Sequence, residues 1–189
     1  MTTMHTNKPT PRTWMLVTTA AVAALIGGVA LALDTAALDQ QVSATLQSFY
    51  ALSDKNKYLA DNAAGVLVFP RITKAGAGIG GEHGDGALLV NGKTVGYYSS
   101  SGASVGLTLG VSRHSEVILF QTAEARDKFV NGKDWSIGAD ASVAIAKKGA
   151  GGNYDNQTLS KPVIAFVFGE KGLMGDASLA GGKISKIAK

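Results

Sequence analysis

Cysteine is absent from the chain. Disulfides, thiolate nucleophiles, cysteine-held metals and a lipid anchored through an N-terminal cysteine are therefore excluded. A surplus of one charge is also lacking. The 189 residues carry 18 Lys and Arg against 14 Asp and Glu, a net +4. Residues 1–32 hold Lys8, Arg12 and no acidic residue, so without them the balance is 16 against 14, or +2. That offers no bulk attraction to nucleic acid. Histidine is scarce: His5, His83 and His114. His83 stands beside Glu82 and near Asp85, but neighbours on a strand face opposite sides and no second histidine has ligand spacing. His114 is accompanied by no nucleophile elbow and no paired carboxylates. The expectation is a non-catalytic protein that needs no metal and no cofactor.

What is abundant is glycine, 24 residues or about 13% of the chain against a usual ~7%. Much of it falls in strand-like alternation. In Gly102 to Ser112, GASVGLTLGVS, bulky residues alternate with Gly, Ser and Thr. Side chains alternate faces in a strand, so this one has a bulky face and a nearly bare one. Glycine inside a strand supplies nothing to pack and marks close approach of a backbone or ligand. The pattern recurs in AGAGIGG (75–81), GADASVA (138–144) and GDASLAG (175–181). Asp140 and Asp176 share a D-A-S setting on the small faces, which reads as structural hydrogen bonding.

Two phosphate-binding motifs are imitated and fail. Gly76 to Gly81 matches G-x-G-x-x-G, yet a turn and another strand follow where the motif needs a helix N-terminus. Gly86 to Thr94 has five residues before Gly-Lys-Thr where four are required.

The chain opens with a polar stretch, then an apolar run from Trp14 to Leu33 that ends in Ala30-Leu31-Ala32. A basic start, an apolar middle and an A-x-A ending describe a secretory signal peptide, residues 1–32, with a membrane anchor as the alternative. Residues 33–189 then form a single exported domain, placed in the periplasm or cell envelope. Asp34 to Leu52 reads as a helix capped by Asp34 or Thr35, with an apolar stripe at Leu38, Val42, Leu46, Phe49 and Tyr50. A short helix near Tyr58 leads to a buried strand, Val66 to Phe69, closed by Pro70. Gly84-Asp85-Gly86 and Asn91-Gly92 are turn signals. Strands are expected at 87–90, 95–100, 103–112, 116–121, 135–146, 163–168 and 173–184, a helix at 123–130, and a loop at 147–157. The fold class is α+β: a curved antiparallel sheet or partly closed β-barrel of Gly/Ala/Ser-faced strands, packed with two or three helices.

The blocks AAGVLVFPRITKAGAGIGGEHGDGALLV, GASVGLTLG, IGADASVA and KGLMGDASLAG, in that order, resemble the SYLF domain across Ser53 to Lys186. The resemblance implies a lipid-binding module. Fungal and animal members bind phosphoinositides and some act with actin, while bacterial members are secreted or envelope proteins. In eukaryotic members an amphipathic segment before the core aids membrane binding; the corresponding Asp34 to Leu52 here has no Lys or Arg.

The function expected is an exported domain that binds anionic phospholipid or a membrane surface. A structural or adhesive envelope protein that self-associates through its small-faced strands, a homo-oligomer, is the alternative. Bare faces at Gly76, Gly78, Gly80, Gly102, Gly106, Gly110 and Gly138 would let an acyl chain lie close to the sheet. Cations at the strand mouths, Arg71 with Lys74, Lys147 with Lys148, and Lys183 with Lys186, would hold the headgroup phosphate.

Overall fold

The structure, a computed structural model, describes residues 19–132, 134–136, 142–146, 154–169, 172–173 and 182–188. Lys147, Lys148, Gly138, Asp140 and Asp176 lie outside the described residues. In order, the elements are α1 (Thr19–Ala51), α2 (Asp54–Asp61), β1 (Gly65–Val90), β2 (Lys93–Phe120), α3 (Ala123–Asn131), β3 (Asp134–Ser136), β4 (Val143–Ile145), α4 (Asn156–Leu159), β5 (Val163–Gly169), β6 (Gly172–Leu173) and β7 (Lys183–Ile187).

Strands β1 and β2 form one long antiparallel hairpin. Its turn is Asn91-Gly92, with φ of 51° and 74°, the left-handed backbone that a two-residue hairpin requires. The short strands expected from Ala87 onward are thus the end of β1 and successive parts of β2. Two expected breaks are corrected. Pro70 does not close a strand: β1 runs through it, with a register shift between Phe69 and Ile72. Proline has no N–H to give a ladder, so a bulge absorbs it. Ser115 Oγ donates to the Pro70 carbonyl at 2.8 Å and ties the bulge to β2.

Gly84-Asp85-Gly86 is also strand rather than turn, paired across to Ser100, Ser99 and Tyr98. Its glycines serve a different purpose. A Cβ on Gly86 would collide with the Val68 carbonyl oxygen and sit 2.5 Å from Phe69 Cδ1; one on Gly84 would collide with the Arg71 carbonyl oxygen and sit 2.9 Å from Ile72 Cγ1. The hairpin curls until the second half of β1 crosses its first half, and only glycine lets the backbones approach that closely.

The far edge of β2 takes two partners. β7 pairs along Tyr97–Ser101 and β5 along Ser115–Phe120. β3 extends the sheet beyond β7, and β4 lies beside β5. Among the described residues, seven strands thereby form a curled half-barrel with four helices, the α+β class expected. β4–β5 is parallel, contrary to the all-antiparallel expectation. The chain between Ile145 and Val163 includes α4 and is long enough for the crossover a parallel pair needs.

Each face of the sheet has its own core. Outside the curl, α1 lays Leu38, Val42, Leu46 and Phe49 against Val66, Val68, Val117, Leu119, Ile164 and Phe166. This is the predicted stripe, and Phe49 stacks edge-on to Phe166 at 4.9 Å. The helix does not begin at Asp34, however: it enters from Thr19 without a break. Asp39 accepts hydrogen bonds from Thr94 Oγ1 at 3.1 Å and Tyr97 Oη at 3.0 Å, fixing α1 on the hairpin. Inside the curl, Leu67, Phe69, Ile72, Leu88, Ile118 and Phe120 meet Ile184. Phe129 of α3 closes that core, with Tyr98, Phe120 and Trp135 around it at 4.8 to 5.3 Å. Thr122 caps α3 by accepting from Ala125 N. No helix among the described residues is long and apolar enough to cross a membrane.

Candidate functional site

A cleft of about 310 Å³ opens where α1 meets the crossing of β1 on itself. One wall is helical: Asp34, Ala37, Leu38 and Gln41 recur at the three- and four-residue spacing that shares a helix face. The other wall is strand: Arg71 and Thr73 alternate onto it just past the Pro70 bulge, and His83, Gly84 and Asp85 arrive with the returning half of β1. The Pro70 bulge and the glycine crossing therefore build the site.

The cleft holds both signs of charge, since Arg71, Asp34 and Asp85 all line it. His83 Nε2 lies 3.7 Å from Asp85 Oδ1, and its Nδ1 lies 3.4 Å from Ser99 Oγ across the hairpin. Ser, His and Asp in a row are the residue types of a nucleophile relay. Both distances are long, and the His83 side chain is 69% exposed, whereas a working relay is aligned and desolvated. The row acts as a cross-strand tie. Among the described residues no group of three or more His, Cys, Asp and Glu could hold a metal.

Of the expected headgroup cations, Arg71, Lys74, Lys183 and Lys186 are among the described residues, and these four do not share one face. Arg71 lines the cleft; Lys74, three residues on, does not. In a strand an odd separation puts side chains on opposite faces, so Lys74 shares the face of buried Ile72. The partner of Arg71 is one not foreseen, Arg113. Its position opposite Thr73 puts it on the cleft face, diagonal to Arg71. Val111, two residues before it and opposite Ala75, is 65% exposed. One strand face thus presents two guanidinium groups beside an exposed apolar edge. Lys183 and Lys186 stand on β7, opposite Ser101 and Tyr98, along the edge of β2 away from β1. Their odd separation also sends them to opposite faces. The glycines separate too. Gly76 pairs with Gly110, Gly80 with Ser104 and Gly102 with Glu82, while Gly78 and Gly106 fall within a register shift between Ala77 and Ile79. A Cβ on Gly102 would press on Glu82 Oε1 at 2.8 Å, so this bare position accommodates a side chain of the same hairpin.

A second polar feature was missed. His114 Nε2 and Glu116 Oε1 are 3.3 Å apart on the inner face, and Glu116 is only 3% exposed. Among the described residues its Oε2 has no hydrogen-bond partner. Burial pushes its carboxyl above the usual range and Glu82 adds to the rise, while the hydrogen bond and charge of His114 oppose it. The alternation His114, Glu116, Ile118, Phe120 was the available signal, since Ile118 and Phe120 point into the inner core.

Residues 101–188 match the family model of Ysc84, described as a Las17-binding protein actin regulator. The matched stretch begins within β2 and ends just past β7, and so takes in Arg113, the His114–Glu116 pair and strands β3 to β7. No curated protein matches the chain.

Proposed function

We propose that this chain, whose residues 101–188 match the Ysc84 model of SYLF-domain proteins, is a non-catalytic phospholipid-binding domain. The matched family is described by actin regulation; the SYLF resemblance implies lipid binding, and the geometry supports that side of the reading. The observation that carries the reading is the shared strand face of Arg71 and Arg113 beside exposed Val111. Guanidinium groups make bidentate contacts to phosphate, and an apolar neighbour suits the adjoining acyl region. Two arginines also favour anionic surfaces, by roughly 1 kcal/mol per cation near the bilayer. In this reading the leader, residues 1–32, exports the domain to the bacterial envelope, where phospholipid headgroups are its partners.

The test is co-sedimentation of the protein with vesicles of anionic phospholipid at low and moderate salt. Retention that weakens with salt is expected. No retention on any bilayer overturns the proposal. The exposure of Val111 on a strand face favours self-association as a second reading. Light scattering without detergent separates the two, because a strict monomer that carries lipid leaves no room for assembly.

A further inference from the structure

Glu116 is the only Asp, Glu, Lys or Arg that is buried among the described residues. It sits on the inner face, opposite Phe69 of β1 and Val167 of β5. His114 Nε2, at 3.3 Å, serves its Oε1, and Oε2 is left without a partner among the described residues. A neutral carboxyl bears such a place better than a carboxylate, whose buried charge needs pairing. The second half of β1 brings another carboxyl group to this face. Ile72 Cγ1 lies 2.9 Å from where a Cβ of Gly84 would stand, and Ile72 is opposite His114. Glu82, two residues before Gly84, shares its face. Glu82 is half-buried, lies over the bare position of Gly102, and its charge acts on Glu116. We infer that Glu116, His114 and Glu82 form a proton-dependent clasp on the crossing of β1. With Glu116 neutral the second half of β1 stays seated over the first; with Glu116 ionised it lifts.

The crossing is built to open. Among the described residues the two halves of β1 pair with β2 and not with each other, so lifting one from the other breaks no ladder between them. The surrounding charges do not hold Glu116 ionised. Lys74 faces the same way but stands opposite Ser112, beyond His114. Lys186 is opposite Tyr98, at the turn end of the hairpin. β5 and β6 carry no titratable residue. Burial outweighs the opposing hydrogen bond and charge of His114, so the seated carboxyl loses its proton at a higher pH than an exposed one. Opening exposes Glu116 and returns it to the ordinary range. The closed crossing is therefore favoured most below the ordinary carboxylate pKa, and opening gains as pH rises through the raised value. The same crossing carries His83, Gly84 and Asp85 to the cleft, so the clasp sets the pH range in which the cleft is formed. It does not depend on the lipid reading.

The full chain has no cysteine, so one introduced thiol reports opening. Ser100 is 2% exposed and stands opposite Gly84, and Ser100→Cys places the thiol at the crossing. Its labelling by a water-soluble aromatic disulfide is measured from about pH 5 to about pH 8, each rate divided by that of the same protein unfolded in urea. Protection should fall by about tenfold or more over this range, tenfold being the effect of a one-unit difference between the closed and open carboxyl. With Glu116→Gln added, protection should stay flat. With Glu82→Gln added instead, the fall should shrink, because the repelling charge is gone. Glu82 is only half-buried, so that arm decides the matter even if the Glu116→Gln protein fails to fold. Low urea should scarcely speed the labelling, because a local opening exposes little surface. Flat protection in the Ser100→Cys protein overturns the inference, as does a fall that neither second substitution alters. Labelling that rises with urea as steeply as global unfolding also overturns it, since the whole domain and not the crossing then opens.

Discussion

Gly86 is where the hairpin crosses itself, and replacing it with alanine tests the architecture that builds the cleft. The added methyl would overlap the Val68 carbonyl oxygen and stand 2.5 Å from Cδ1 and 2.9 Å from Cε1 of Phe69. Neither neighbour can yield. Val68 is held in register with Val117, and the Phe69 ring is fully buried in the inner core. Overpacking a tight core costs about 1–3 kcal/mol and sometimes more, and two rigid partners place this case near ~3 kcal/mol. Alanine restricts the unfolded chain and returns roughly 0.5 kcal/mol of that. In a domain of this size the remainder lowers Tm by about 5–10 °C. Gly92 supplies the control. Its φ is +74° and nothing lies within 4 Å of an added Cβ, so Gly92→Ala bears only left-handed strain, about 1 kcal/mol. Thermal melts followed by circular dichroism measure both. If Gly86→Ala melts as high as Gly92→Ala, the crossing does not require glycine and the account of the hairpin is wrong.

Two further predictions concern buried polar groups. Asn56 is 0% exposed; its amide donates to the Phe49 carbonyl and its Oδ1 accepts from Tyr154 Oη. Tyr154→Phe strands that oxygen, and urea unfolding should show a loss of about 1–3 kcal/mol; an unchanged midpoint would mean that water replaces the hydroxyl. Glu116 has a folded pKa above its ordinary value because it is buried. Its contribution is therefore fully present below the ordinary carboxylate pKa and is lost as pH rises through the raised folded value. Glu116→Gln should remove that loss, so the stability of the variant relative to the parent should increase between pH 4.5 and pH 8 in urea melts. A difference that stays flat across this range would show that Glu116 is not held up.

The sequence displayed local periodicity and concealed what depends on distant partners. The α1 stripe was legible because five apolar residues at helical spacing need only one surface to pack on. Asn91-Gly92 was legible because positive φ is a local demand. Gly84-Asp85-Gly86 carries the same residue types and was misread, since its reason is a backbone that passes over it from Val68 to Arg71, some fifteen residues away. Pro70 was misread because a bulge, anchored by Ser115 on another strand, carries the ladder past it. The same bulge and alternation separate Arg71 from Lys74 and bring Arg113 forward. Pairing register decides which cations share a face, and register is a property of two strands. Glu116 stayed hidden because charged residues are ordinarily exposed.

The central claim is that Arg71 and Arg113 together form the phospholipid-facing surface. Co-sedimentation of the full chain with anionic vesicles at low salt tests it, comparing the parent, the double variant Arg71→Ala with Arg113→Ala, and Lys74→Ala. The apolar run is common to all three proteins, so any difference reports the arginine face. The double variant should bind about tenfold or more weakly, at roughly 1 kcal/mol for each lost cation, while Lys74→Ala should stay close to the parent. Equal binding by the parent and the double variant, with Lys74→Ala weakened instead, would contradict the account.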